Sequence, residues 1–266
     1  MVYALHSLAT HTYGAAAVVY LVYLIRQWRP LALAGRGLVG MGAAAHAVGL
    51  VLLFSGQGVP VGMAQAFSSL AFLLVAIFLG LDLRYRLPVL GAFLTPFALA
   101  LLVPGLLIGR SGVFLESVRA PLLPVHITVA LVGLAAIAVA AGVALVYLLM
   151  ERQVKGKRFG LLFSRLPPLQ ILDDLNRHLV VWGFIALSLT MISGAFFASP
   201  HAGLTWVWAP KQVATLVGWL VFGVLLNARA FAGWQGRRVA VLTMAGFGIL
   251  VVSFLTAFNP GAAGIH

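Results

Sequence analysis

Seven histidines hold most of the chemistry open to this chain, because its 266 residues include no cysteine and only five Asp or Glu beside 17 Lys or Arg. A histidine at membrane depth gains nothing from lipid, so it takes a partner: a neighbouring helix, water, a metal ion or the iron of a haem. His126 opens an apolar segment at Leu123-Pro124-Val125-His126, with Ala130 and Gly133 on its face. His46 stands mid-segment behind Gly40, Gly42, Ala43, Ala44 and Ala45. Such small residues admit a second helix at close range, and they equally let a flat macrocycle lie against the backbone. His178 begins another apolar segment, with Trp182 one turn on along the same face. His201 and His266 fall in polar stretches, His201 near Trp206 and Trp208. His6 and His11 are five apart, about 140° around a helix, so they do not form one metal-binding face.

These positions sort into two depths, His46 and His178 towards one side, and His126, His201 and His266 towards the other. Neutral imidazole suits iron, and two from different helices can hold a haem by its axial positions. Zinc asks for a third or fourth ligand at short spacing, which this sequence does not offer. Arg177 and Lys211 are the cations placed to offset haem propionates at the two levels. For His46 and His178 the competing reading is an interhelical hydrogen bond or snorkelling to the interface, and a terminal histidine such as His266 is ordinarily solvated.

The elements that must position these residues are read from hydropathy. A hydrophobic fraction of 62% and mean hydropathy of +1.08 exceed the soluble range. Apolar runs reach the roughly 20 residues that span a bilayer. Eight such runs fall at 3–25, 37–55, 62–81, 89–108, 124–149, 177–198, 212–230 and 239–258. The expected fold is all-α: a polytopic integral membrane protein of about eight transmembrane helices, with residues 1–266 forming a single domain.

The net charge of +12 suggests nucleic acid until it is mapped onto these spans. Loop 26–36, the loop after span three, loop 150–177 and the loop after span seven take every basic residue except Arg110, Arg119 and Lys211. The positive-inside rule makes those loops cytoplasmic and puts both termini outside. The charge is therefore a topology signal with attraction to anionic lipid headgroups, and nucleic-acid binding is not expected. No Lys or Arg precedes Arg26, so the first span is expected to stay rather than be cleaved as a signal peptide. The lack of cysteine excludes disulfides and thiolate metal sites. Asp82 is placed at a helix end and Glu116, Glu151, Asp173 and Asp174 in loops, which weighs against a proton-coupled carrier. Asp173, Asp174 and Asn176 are expected to cap span six.

Three stretches and the tail bring a family into view. Leu123-Pro124-Val125-His126-Ile127 opens a helix with histidine. Leu172-Asp173-Asp174-Leu175 leads through Gly183-Phe184 and Ile192-Ser193-Gly194-Ala195 to Trp206-Val207-Trp208-Ala209-Pro210-Lys211-Gln212. Gly233-Trp234-Gln235-Gly236-Arg237-Arg238 precedes the last span, and Gly264-Ile265-His266 follows it. Together, over about 120–266, these resemble the membrane haem-handling proteins of the cytochrome c assembly group, including their HemX-like branch; earlier spans match mainly through His46.

The resemblance implies His46 and His178 as a transmembrane haem pair, and His126 and His266 as an outer pair of iron ligands. It implies Trp206 and Trp208 as a lid over the porphyrin, with Lys211 on a propionate. The cofactor would be haem, taken as haem b, in a bacterial cytoplasmic membrane, with a cytochrome c maturation subunit as partner. Ala209 and Gln212 replace the acids of the family's Trp-Asp-Pro-Lys-Glu run, and Asn227 stands where many relatives have histidine. Haem transport or holding is therefore expected rather than haem ligation. The alternatives are a haem-responsive tether of glutamyl-tRNA reductase acting through loop 150–177, and a subunit whose histidines only join helices.

Overall fold

In a computed structural model, the structure describes residues 1–56, 63–107, 123–157, 168–198 and 210–256. Among them lie eight helices and no strand: α1 (Val2–Arg26), α2 (Arg29–Gly56), α3 (Met63–Tyr85), α4 (Pro88–Leu107), α5 (Leu123–Lys155), α6 (Leu169–Ala198), α7 (Pro210–Phe231) and α8 (Arg237–Thr256). Seven are long and apolar enough to cross a membrane, and α4 is a shorter apolar helix by the same measure. A bilayer has no water to satisfy peptide groups, so helices that bond internally are the available solution. The molecule is a polytopic membrane protein. Its residues fall into two compact units, Met1–Ala120 with Leu149–Pro168, and Pro121–Leu148 with Leu169–His266.

In the first unit α1 packs on α2 and α4, and α3 on α2 and α4. Tyr20 of α1 is the wedge. A Cβ on Gly35 of α2 would lie 2.8 Å from its ring, and one on Gly91 of α4 would lie 2.6 Å away. Only glycine lets both helices close on this buried ring, which meets Phe78 of α3 edge-on at 5.9 Å.

Two charges placed outside the spans by sequence belong inside this unit. Arg36 is not in a loop, because α2 starts at Arg29-Pro30, where a proline needs no helical N–H partner. Its Nε donates to Asp82 Oδ2 at 2.7 Å and its Nη2 to the Asp82 carbonyl at 3.3 Å. Asp82 is fully buried in α3. A buried carboxylate survives in lipid surroundings only with such a partner, so a nearby arginine is retained in the helix. Glu151 likewise lies in α5 and pairs with Lys155 at 2.6 Å.

The second unit is closed by small residues and one polar knot. A Cβ on Gly183 of α6 would meet Ile137 of α5 at 2.6 Å, and one on Gly246 of α8 would meet Phe222 of α7 at 2.8 Å. Asn176, buried in α6, donates to the Ala140 carbonyl of α5 at 3.1 Å and accepts from Thr243 of α8 at 3.4 Å. The capping expectation for Asp173, Asp174 and Asn176 fails: α6 begins at Leu169, and no acid lies in its first turn. Asp173 serves other elements instead. It accepts from Arg229 Nη2 of α7 and from the Gly236 amide at 3.1 Å. That amide precedes α8, where Gly233 and Gly236 have φ of 64° and 69°, a backbone that favours glycine.

Candidate functional site

His126 stands in the first turn of α5 and meets α6 side on. Its Nδ1 lies 2.7 Å from Ser193 Oγ. Ser193 spends its own hydroxyl proton on α6, donating to the Leu189 carbonyl at 2.7 Å and lying 3.1 Å from that of Thr190. Ser193 Oγ is therefore the acceptor, His126 Nδ1 carries the proton, and the basic lone pair belongs to Nε2. A metal-ligating histidine is oriented in this way, by a bond from its other nitrogen. Gly194 completes the seat, since a Cβ there would come within 3.4 Å of His126 Cε1. The sequence showed Ile192-Ser193-Gly194 as a motif, but not that it braces His126 from 67 residues away.

His178, also in the second unit, has the same tautomer by a different route. Its Nδ1 donates to the Asp174 carbonyl one turn back at 2.8 Å, and its ring is exposed. Trp182, 68% exposed, follows on the same face. From His178 to Ser193 is fifteen residues of one helix, roughly 22 Å at 1.5 Å per residue. The histidine braced by Ser193 and His178 thus mark separate levels along α6, too far apart to share one iron.

His46, in the first unit, differs. It is fully buried, with Nε2 2.9 Å from Ser68 Oγ of α3 and Nδ1 3.4 Å from the Tyr13 hydroxyl of α1. Phe72 meets the ring edge-on at 5.6 Å, and His6 does so at 5.3 Å. Of the small residues before it Gly42 serves helix packing, since a Cβ there would lie 2.7 Å from the Tyr13 ring, whereas one on Gly40 would meet nothing within 4 Å. Both nitrogens already face hydroxyls, so iron at Nε2 would have to displace Ser68. The proximity of His6 escaped a reading along the sequence, because spacing within α1 says nothing about what α2 presents.

The remaining sequence-derived candidates are placed as follows. Trp206, Trp208, His201 and His266 lie outside the described residues, and Lys211 is in the first turn of α7 with its side chain outside them. Asn227 turns back on its own helix, donating to the Gly223 carbonyl at 2.8 Å. Among the described residues no group of three or more His, Cys, Asp or Glu could hold a bare metal ion. Single imidazoles with a fixed tautomer suit a metal whose other positions are already filled, as in a macrocycle.

The chain is similar to the protein named cytochrome c biogenesis protein CcsA from Synechococcus sp. (strain JA-2-3B'a(2-13)), 40% identical over 107 residues, which cover 40% of this chain and 30% of that protein. The CcsA of Trichodesmium erythraeum (strain IMS101) is 39% identical over 103 residues, 39% of this chain and 29% of the relative. That of Thermosynechococcus vestitus is 38% identical over 103 residues, 39% of this chain and 32% of the relative. The chain thus matches about a third or less of the length of these proteins. The family described as cytochrome C assembly protein matches over residues 40–258, which takes in helices of both units, and the chain belongs to that family.

Proposed function

We propose that this protein holds haem in a bacterial cytoplasmic membrane and passes it on for cytochrome c biogenesis, residues 1–266 acting as one haem-handling domain with both termini outside. The observation that carries this reading is the brace on His126: Ser193 fixes the proton on Nδ1 and leaves Nε2 as the basic nitrogen. Haem, most simply haem b, is the cargo. His126 would supply one axial ligand at the outer level and His266 the other, beneath Trp206 and Trp208, with Lys211 facing a propionate. At the inner level His178 is suited to ligation as it stands. His46, the other inner candidate, would ligate only by giving up its bond to Ser68.

Absorption spectra of the purified protein from haem-replete cells test this, oxidised and reduced, beside the double variants His46→Ala/His178→Ala and His126→Ala/His266→Ala. Sharp reduced bands that disappear in one double variant support bis-histidine haem at that level. A colourless protein that also fails to take up added haem sinks the reading.

The replacement of the motif's acids by Ala209 and Gln212 favours a second role over ligation: a HemX-like, haem-responsive tether of glutamyl-tRNA reductase through segment 150–177. Capture of the reductase by the full chain but not by a segment-deleted variant would support it. In either role a protein partner receives the haem or the signal.

A further inference from the structure

The turn between α7 and α8 is not used by the haem reading, yet it is built around charge. Gly233 and Gly236 both adopt positive φ, and Trp234 N donates to the Ala228 carbonyl at 3.2 Å to close α7. The first turn of α8 then carries Arg237 and Arg238 and no acid, the reverse of what a helix N-terminus favours. Arg238 is held over the Trp234 ring, 5.8 Å from its centroid, and both arginines are exposed. Beneath them Arg229, its side chain only 8% exposed, shares the Asp173 carboxylate with the Gly236 amide. Its other terminal nitrogen, Nη1, is buried and has no hydrogen-bond partner. Arg177 adds a further positive charge near Arg229, and among the described residues Asp174 is the other acid whose charge reaches it.

We infer that this turn binds the phosphate group of an anionic membrane phospholipid. A helix N-terminus presents unpaired amides to an anion. Four guanidiniums, of Arg177, Arg229, Arg237 and Arg238, face two carboxylates, of which Asp173 is already committed to Arg229 and Gly236, and this leaves a net demand for negative charge. An orphaned buried guanidinium nitrogen is costly, and an oxyanion is its natural partner. Phe231, at the end of α7, is 87% exposed beside this cluster, which places an apolar group where acyl chains begin. That pairing of a basic pocket with an apolar edge at a helix end suits a lipid headgroup better than free phosphate.

The test uses the full-length protein in phosphatidylcholine vesicles holding an equal minor fraction of either brominated phosphatidylglycerol or brominated phosphatidylcholine, with tryptophan quenching as the readout. The expected result is stronger quenching by the phosphatidylglycerol, with the excess lost in Trp234→Phe. Arg237→Gln and Arg238→Gln should each raise the phosphatidylglycerol content needed by about fivefold, with unchanged circular dichroism. Equal quenching by the two lipids overturns the proposal, as does a preference that survives Trp234→Phe or the double variant Arg237→Gln/Arg238→Gln. Inorganic phosphate that shifts the Trp234 emission in phosphatidylcholine alone, without any preference among lipids, would assign the turn to a soluble phosphate and overturn the lipid source.

Discussion

Replacing Ser193 by alanine isolates the idea that a hydroxyl sets up His126 for iron. The variant removes the acceptor 2.7 Å from His126 Nδ1. Its effect on α6 is small, because a serine bonded to the carbonyl one turn back contributes little to its helix and slightly disfavours it. The imidazole then loses its fixed orientation and its preference for the tautomer with Nε2 basic. Loss of such an outer partner weakens a metal site by about 10- to 100-fold, or about 1.4–2.7 kcal/mol. The measurement is a spectral haem titration in a His178→Ala background, so that the outer level alone is read. Ser193→Ala should bind about 10- to 100-fold more weakly than its parent, His126→Ala should lose the site, and Ser193→Thr, which keeps an acceptor, should recover most of the affinity. If His126→Ala loses binding while Ser193→Ala titrates like the parent, the tautomer argument is wrong.

At His46 the same logic gives the opposite sign: Ser68→Ala removes a competitor for Nε2, and inner-level haem affinity in a His126→Ala background should rise about fivefold, the worth of one net hydrogen bond. The Arg36–Asp82 pair should be asymmetric. Arg36→Ala strands a fully buried carboxylate whose Oδ1 already has no partner, and should destabilise by about 3–5 kcal/mol, measured as unfolding in mixed detergent micelles. Asp82→Ala should be milder, since the Arg36 side chain is 25% exposed and can turn its head towards headgroups; equal losses from the two variants would contradict this. Gly91→Ala, which would set a Cβ 2.6 Å from the buried Tyr20 ring, should lower stability by about 1–3 kcal/mol, and an unchanged midpoint would show that Tyr20 has room to move.

Much of the fold was legible in order of sequence. Apolar runs of bilayer length marked all eight helices, within a few residues at most ends, because lipid leaves the backbone no other way to bond. The clearest difference is at α2, where Arg36 lies within the helix and not in a loop. Its neutralising partner lies 46 residues away, beyond what any local window weighs. Asp173 was misread for a similar reason: an acid before an apolar run looks like a cap, yet this one holds Arg229 and Gly236, 56 and 63 residues distant.

The histidines divide along the same line. Residue type and hydropathy alone determined that five of the seven histidines, His6, His11, His46, His126 and His178, lie within or at the ends of apolar spans and that no thiolate competes with them. The turn before α8 was visible only as the motif Gly233-Trp234-Gln235-Gly236-Arg237-Arg238; the positive φ of its two glycines was decided by the fold. Which histidine is ready for a ligand was decided only by tertiary contact. His46 faces Ser68 and Tyr13, while His126 is braced through Ser193. A histidine's lone pair follows whichever nitrogen its neighbours leave basic, and those neighbours arrive from other helices.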